Sequence, residues 1–154
     1  MMRKMKFHSD IEFFFRIEPD VSKLTHQNGI EPGVLGNGKP YMHKTPALEN
    51  LEAFYVSHLK RNAPKEPWTC PIHLTTAWYF LKPKRAKGIF KTTKPDTDNL
   101  VKTLKDCMKQ AGFFADDALV VIDTIAKYWR DESGKHGIHI RLRDLSNENE
   151  KENT

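Results

Sequence analysis

Cysteine is scarce in this sequence: two in 154 residues, Cys70 and Cys107, 37 positions apart and each without a cysteine neighbour. A disulfide framework and a paired-thiol zinc site are therefore not indicated, and a reducing cytoplasm fits best. Long hydrophobic runs are missing too. No stretch reaches the roughly 18 consecutive apolar residues of a membrane span, so a soluble protein with no membrane partner is expected. The first seven residues carry Arg3, Lys4 and Lys6 but lack the apolar heart of a signal peptide, which argues against export. From Ser146 the chain reads SNENEKENT, which has no apolar residue. Residues 146–154 are accordingly expected to be a disordered tail behind a single domain spanning residues 1–145.

Large apolar side chains are plentiful by contrast. Three Trp, nine Phe and four Tyr within a 38% hydrophobic composition suffice for one compact core and exclude wholesale disorder or a fibrous chain. The formal charge of +5 is modest, but its distribution is not: Lys82, Lys84, Arg85, Lys87, Lys91 and Lys94 give +6 between residues 82 and 94 with no anion, leaving −1 for everything else. A focused basic stripe is what contact with a phosphate backbone requires, because each cation that neutralises a phosphate releases condensed counterions. A solvated lysine-rich loop is the ordinary alternative.

Periodicity assigns the elements. Ile11, Phe13, Phe15 and Ile17 recur at period two, predicting a strand with one buried face. Residues 19–40, rich in Gly, Pro, Asn and Ser, read as a long irregular loop. Thr45 as cap, Pro46 at the first position and Leu48, Leu51, Tyr55 and Leu59 predict a helix over 47–61. Residues 72–81, β-branched and aromatic between Pro71 and Pro83, predict a second strand. The run 96–99 supplies capping side chains for a helix whose apolar face is Leu100, Leu104, Cys107, Met108 and Ala111, with Gly112 as its stop. Residues 119–130 and 138–143 then predict two strands joined by a hairpin connection over 131–137. The fold class is α+β, a mixed four-stranded sheet with helices packed on it.

The chemistry concentrates in one stretch. Asp96 and Asp98 open the second helix, and Asp116 and Asp117 follow its end, so four acids lie beside a basic stripe. Carboxylates would repel a phosphate backbone unless a divalent cation bridges the two, and Mg²⁺ prefers such hard oxygen ligands, so Mg²⁺ is the expected cofactor. Lys102, four residues after Asp98, shares its helix face. Distance is the open question: a helix from Asp98 to Ala111 is about 20 Å long, and the sequence alone does not bring Asp117 to Asp96 and Asp98. Singly, Asp98 is an ordinary N-cap, Asp116-Asp117 an ordinary turn and Lys102 a solvated charge. An EF-hand is excluded, because a loop begun at Asp96 has Val101 where glycine is required and Cys107 where glutamate is required. His136 and His139, three apart on a strand, face opposite sides and chelate poorly.

Residues 94–121, KPDTDNLVKTLKDCMKQAGFFADDALVV, resemble the signature of the RusA family of Holliday junction resolvases, in which D-x-D-N-L-x-K opens a helix and D-D precedes an apolar strand. The resemblance implies that Asp96, Asp98 and Asp117 are metal-binding catalytic aspartates and Lys102 the catalytic lysine, while Asp116 is not a principal ligand. It also implies a homodimer that gathers Asp117 to the face of the other two, with contributions from both protomers. The expected activity is Mg²⁺-dependent endonucleolytic resolution of four-way junction DNA in recombination and repair, with the basic residues from Lys82 to Lys94 holding the DNA backbone. Alternatives are a nuclease acting on other branched or single-stranded DNA, and a DNA-binding module in which the acids only cap and turn.

Overall fold

A computed structural model of the protein describes residues 7–17 and 30–149. Its elements in chain order are β1 (Ile11–Arg16), β2 (Ile30–Val34), β3 (Pro40–Lys44), α1 (Pro46–Leu59), β4 (Ile72–Leu81), α2 (Thr97–Ala111), β5 (Val120–Arg130), β6 (Gly137–Asp144) and α3 (Ser146–Asn149). Four of the strands form one mixed sheet in the order β1-β6-β4-β5, in which only the β4–β5 pair is parallel. The α+β class with a mixed four-stranded sheet is thus realised.

Why each element forms is local. Pro46 fixes the first turn of α1 and the Thr45 hydroxyl accepts from the Leu48 N–H at 3.2 Å. Every second residue of β4 is buried, which places Leu74, Trp78 and Phe80 against the helices. Those side chains, with Phe15 of β1 and Ile138, Ile140 and Leu142 of β6, meet Leu48, Leu51, Tyr55 and Leu59 of α1 and Leu100, Leu104, Cys107 and Met108 of α2. Each such burial stabilises by about 1.5 to 3 kcal/mol. Gly112, in the left-handed region at φ 94°, stops α2.

Three expectations need correction. Residues 120–130 and 137–144 are strands but do not pair with each other. β4 lies between them, bonded to β5 on one side and β6 on the other. The cause is α2, which carries the chain from the end of β4 back along the helix-covered face, so β5 re-enters beside β4 in parallel. A connection over 131–136 then passes the end of β4, a gap of about 10 Å that six residues span with ease. Second, the irregular loop over 19–40 contains half of a hairpin. β2 and β3 pair antiparallel from Ile30↔Lys44 to Val34↔Pro40, and residues 18–29 lie outside the described residues. Pro32 and Gly33 hid this strand, since a two-stranded ribbon has free edges where a proline removes no ladder bond. Third, residues 146–149, expected to be part of a disordered tail, form α3, with Leu145 and Ser146 buried, and 150–154 lie outside the described residues.

Candidate active site

The start of α2 is anchored to β5. Lys127 of β5 donates its ammonium to the carbonyls of Thr93 (2.7 Å) and Pro95 (2.9 Å). Backbone bonds from Lys91 N–H to Lys127 O (3.1 Å) and from Trp129 N–H to Ile89 O (2.7 Å) lay residues 89–91 along the second half of β5. The chain is therefore pinned just before Asp96. Asp96 takes the N-cap position, yet its side chain makes no capping hydrogen bond, unlike Thr45 at the start of α1. Its carboxylate is exposed, as is that of Asp98 in the first turn. Lys102 stands exposed one turn further on. Two exposed carboxylates, with an ammonium one turn on, thus stand at the positive end of a helix dipole, where anions are favoured.

Asp117 is elsewhere. It opens a single 3₁₀ turn ahead of β5, next to Asp116, whose carboxylate accepts from the Ala118 N–H at 3.0 Å. That bond first, then a hydrogen bond to Asp117 and the charge of Lys109, holds the Asp116 carboxyl below its ordinary value. Asp116 therefore serves the turn and Asp117 is left half-exposed beside it. The 15 residues of α2 separate the two ends by about 20 Å. Partway along, Lys105 of α2 pairs with Asp123 of β5 at 2.9 Å, which fixes the helix against the strand in this direction. Within one chain, then, the structure brings Asp96, Asp98 and Lys102 together and leaves Asp117 at the opposite end.

The basic segment also divides. Lys84, Arg85, Lys87 and Lys94 are exposed and Lys82 half-buried, and Arg85, Lys87 and Lys94 line an open cavity of about 600 Å³ with Trp129 as an aromatic wall. Lys91 departs from the expected surface stripe. It is 4% exposed, with its ammonium 5.2 Å from the Phe80 ring centroid and 4.5 Å from that of Trp129. The apolar rings of Phe80 and Trp129, over which its ammonium lies, draw its stem inward. Lys127 is the functional residue that sequence reasoning missed. It lies 32 positions from the carbonyl it holds, and only the β4–α2–β5 path makes them neighbours.

Among the described residues, the group of His, Cys, Asp and Glu side chains close enough to share an ion is His8, Cys70 and Asp144, and no helix is long and apolar enough to cross a membrane. That group contains none of the aspartates read from the sequence.

A family model described as Endodeoxyribonuclease RusA matches residues 31–143. A crossover junction endodeoxyribonuclease rusA of Lactococcus phage r1t is 32% identical over 133 residues, covering 84% of this chain and 98% of that protein. A protein of Bacillus subtilis strain 168, YqaN, described as uncharacterized, is 25% identical over 130 residues, covering 77% of this chain and 89% of its own.

Proposed function

The chain belongs to the RusA endodeoxyribonuclease family, and from that premise we propose that it is a Mg²⁺-dependent resolvase of four-way DNA junctions working as a two-fold homodimer in the cytoplasm, in recombination and repair. The observation that carries this reading is the start of α2, where Asp96 and Asp98 are presented uncapped and exposed beside Lys102 and the basic cavity. The donor set fits the ion: carboxylate oxygens at a site open to water and to phosphate are what Mg²⁺ selects. Asp96, Asp98 and an Asp117 would hold it. When bound, Mg²⁺ supplies activation of water and neutralisation of charge on the phosphate under attack. Lys102 stabilises negative charge as it develops on the phosphate oxygens. Lys127, through Thr93 and Pro95, keeps Asp96 in register with β5. Lys82, Lys84, Arg85, Lys87 and Lys94 grip the backbone of the junction arms, positioning it without reading sequence.

A homodimer supplies the missing Asp117. The first half of β5 has no strand neighbour on the side away from β4 among the described residues, and its Val121 and Ile122 are 59% and 46% exposed. Such an edge is a template for pairing. A symmetric dimer would pair β5 with its copy antiparallel, and a centre near Asp123 sets Asp117 of one protomer level with Trp129 of the other. Lys127 and Trp129 are where residues 89–91 are fastened, and Lys127 also holds the entry to α2. The same arrangement faces two sites toward a substrate that is itself close to two-fold symmetric.

The test is cleavage of an immobile synthetic junction, a flap and a linear duplex in Mg²⁺. Asp98→Asn and Asp117→Asn should retain junction binding and lose cleavage by about a hundredfold or more, since the amide keeps size but not anionic ligation. Normal cutting by either variant would refute the assignment, and equal cutting of all three substrates would refute junction selectivity.

A further inference from the structure

A separate ligand set occupies the end of the sheet away from the start of α2. His8 precedes β1, Cys70 precedes β4 and Asp144 closes β6, and one ligand atom from each lies within 4.8 Å of the others. We propose that His8, Cys70 and Asp144 form a binding site for a borderline-soft divalent cation of the Zn²⁺ class, which clips the N-terminal segment to the sheet.

The donor chemistry selects the ion. A sulfur and an imidazole nitrogen with one carboxylate oxygen disfavour Mg²⁺ and Ca²⁺, which take oxygen, and suit Zn²⁺ or Co²⁺ with water as the fourth ligand. Around such an ion the ligand atoms stand about 3.5 Å apart, so closing from 4.8 Å needs side-chain shifts of about 1 Å. The ligands are also held in place by what surrounds them. The His8 ring lies flat on Trp68, centroids 4.8 Å apart and planes at 11°, and Trp68 is 2% exposed. Asp144 is 3% exposed, and it accepts from the His8 N–H at 2.9 Å on one oxygen and from the Ser146 N–H at 2.8 Å and the Ser146 hydroxyl on the other. Outer partners of this kind orient ligands and hold the lone pairs that remain toward the ion.

Without an ion, burial and then the neighbouring Asp144 charge push the Cys70 thiol up to about 11, so it stays protonated as a weak donor to the carboxylate. Binding displaces that proton to solvent: the thiol S–H bond breaks, a sulfur–metal bond forms, and no electron changes hands. Joining positions 8, 70 and 144 closes two long loops in the unfolded chain, so the ion stabilises the fold by mass action. The nuclease reading neither requires this site nor depends on it.

Co²⁺ titrated into chelator-stripped full-length protein tests the proposal, read by the near-ultraviolet thiolate-to-cobalt charge-transfer band. Oxygen-only sites at the aspartates give no such band. The expected result is a band saturating at one ion per chain, retained in Cys107→Ser and lost in Cys70→Ser, with Zn²⁺ raising the unfolding midpoint of the wild type and not of Cys70→Ser. His8→Asn, a conservative change at a half-exposed residue, should weaken Co²⁺ binding about tenfold or more, and it carries the test should Cys70→Ser fail to fold. No band in the wild type, a band surviving Cys70→Ser, or unchanged Co²⁺ affinity in His8→Asn would overturn the site.

Discussion

Lys91 sits between Phe80 and Trp129 while Lys84, Arg85 and Lys87, only a few positions earlier, stand in solvent. Charge counting treats the four alike, and burial separates them. A desolvated ammonium over two rings stabilises the fold by about 1 to 2 kcal/mol, whereas an exposed cation contributes little to stability and about 0.9 to the salt slope for each phosphate it neutralises. Lys91→Met should therefore lower the unfolding midpoint and leave the slope of log affinity against log salt unchanged. Neutralising Lys84, Arg85 and Lys87 together should flatten that slope by roughly 2 to 3 and leave the midpoint nearly where it was. Thermal unfolding and fluorescence anisotropy across a salt series measure both. An unchanged slope in the triple variant would place the DNA elsewhere on the surface.

At the scale of elements, the β4–α2–β5 unit converts strand geometry into site geometry. Lys127→Met would release the carbonyls of Thr93 and Pro95, and the expected outcome is roughly a tenfold or greater fall in the rate of junction cleavage at saturating Mg²⁺ with junction affinity little changed, since a misplacement of about 1 Å at a reacting group is enough. Lys127→Arg, which keeps a donor in reach, should recover part of the rate; a loss confined to affinity would instead make Lys127 a DNA contact. Gly137 has a comparable part in the sheet. It sits at φ 145°, and a Cβ there would stand 2.1 Å from the Phe15 carbonyl oxygen, so Gly137→Ala should cost at least about 2 kcal/mol in chemical denaturation by prying β1 from β6. The sequence made much of this visible, because α1, α2 and β4 carry their own caps and periods and the D-x-D-N-L-x-K run sits on the helix start where it was expected. The partner of each strand was not visible. Pairing β5 with β6 followed from nearness in the chain, while the actual order depends on α2 carrying the chain across the sheet, a constraint no window of residues contains. Lys127 and the His8, Cys70 and Asp144 group were hidden for the same reason, as their members come from distant segments.

For the whole molecule, the separation of Asp117 from Asp96 and Asp98 makes symmetry a matter of chemistry. If each site takes Asp96 and Asp98 from one protomer and Asp117 from the other, the two kinds of aspartate variant complement each other. Homodimers of Asp98→Asn and of Asp117→Asn have both sites broken. In the mixed dimer, one site combines the intact Asp96 and Asp98 of the Asp117→Asn chain with the intact Asp117 of the Asp98→Asn chain, and the other site has lost both. Differently tagged chains, co-expressed and purified as the mixed dimer, should thus nick a four-way junction at roughly half the wild-type rate and yield almost no paired-cut product, as one working site cannot make two matched incisions. If each protomer builds its site from its own three aspartates, every site in the mixed dimer keeps one lesion and no nicking returns. The direction of α2, fixed by Lys105 against Asp123 and by Lys127 against Pro95, is what makes the first outcome the expected one, because recovering a site within one chain would require Asp117 to cross about 20 Å of packed helix.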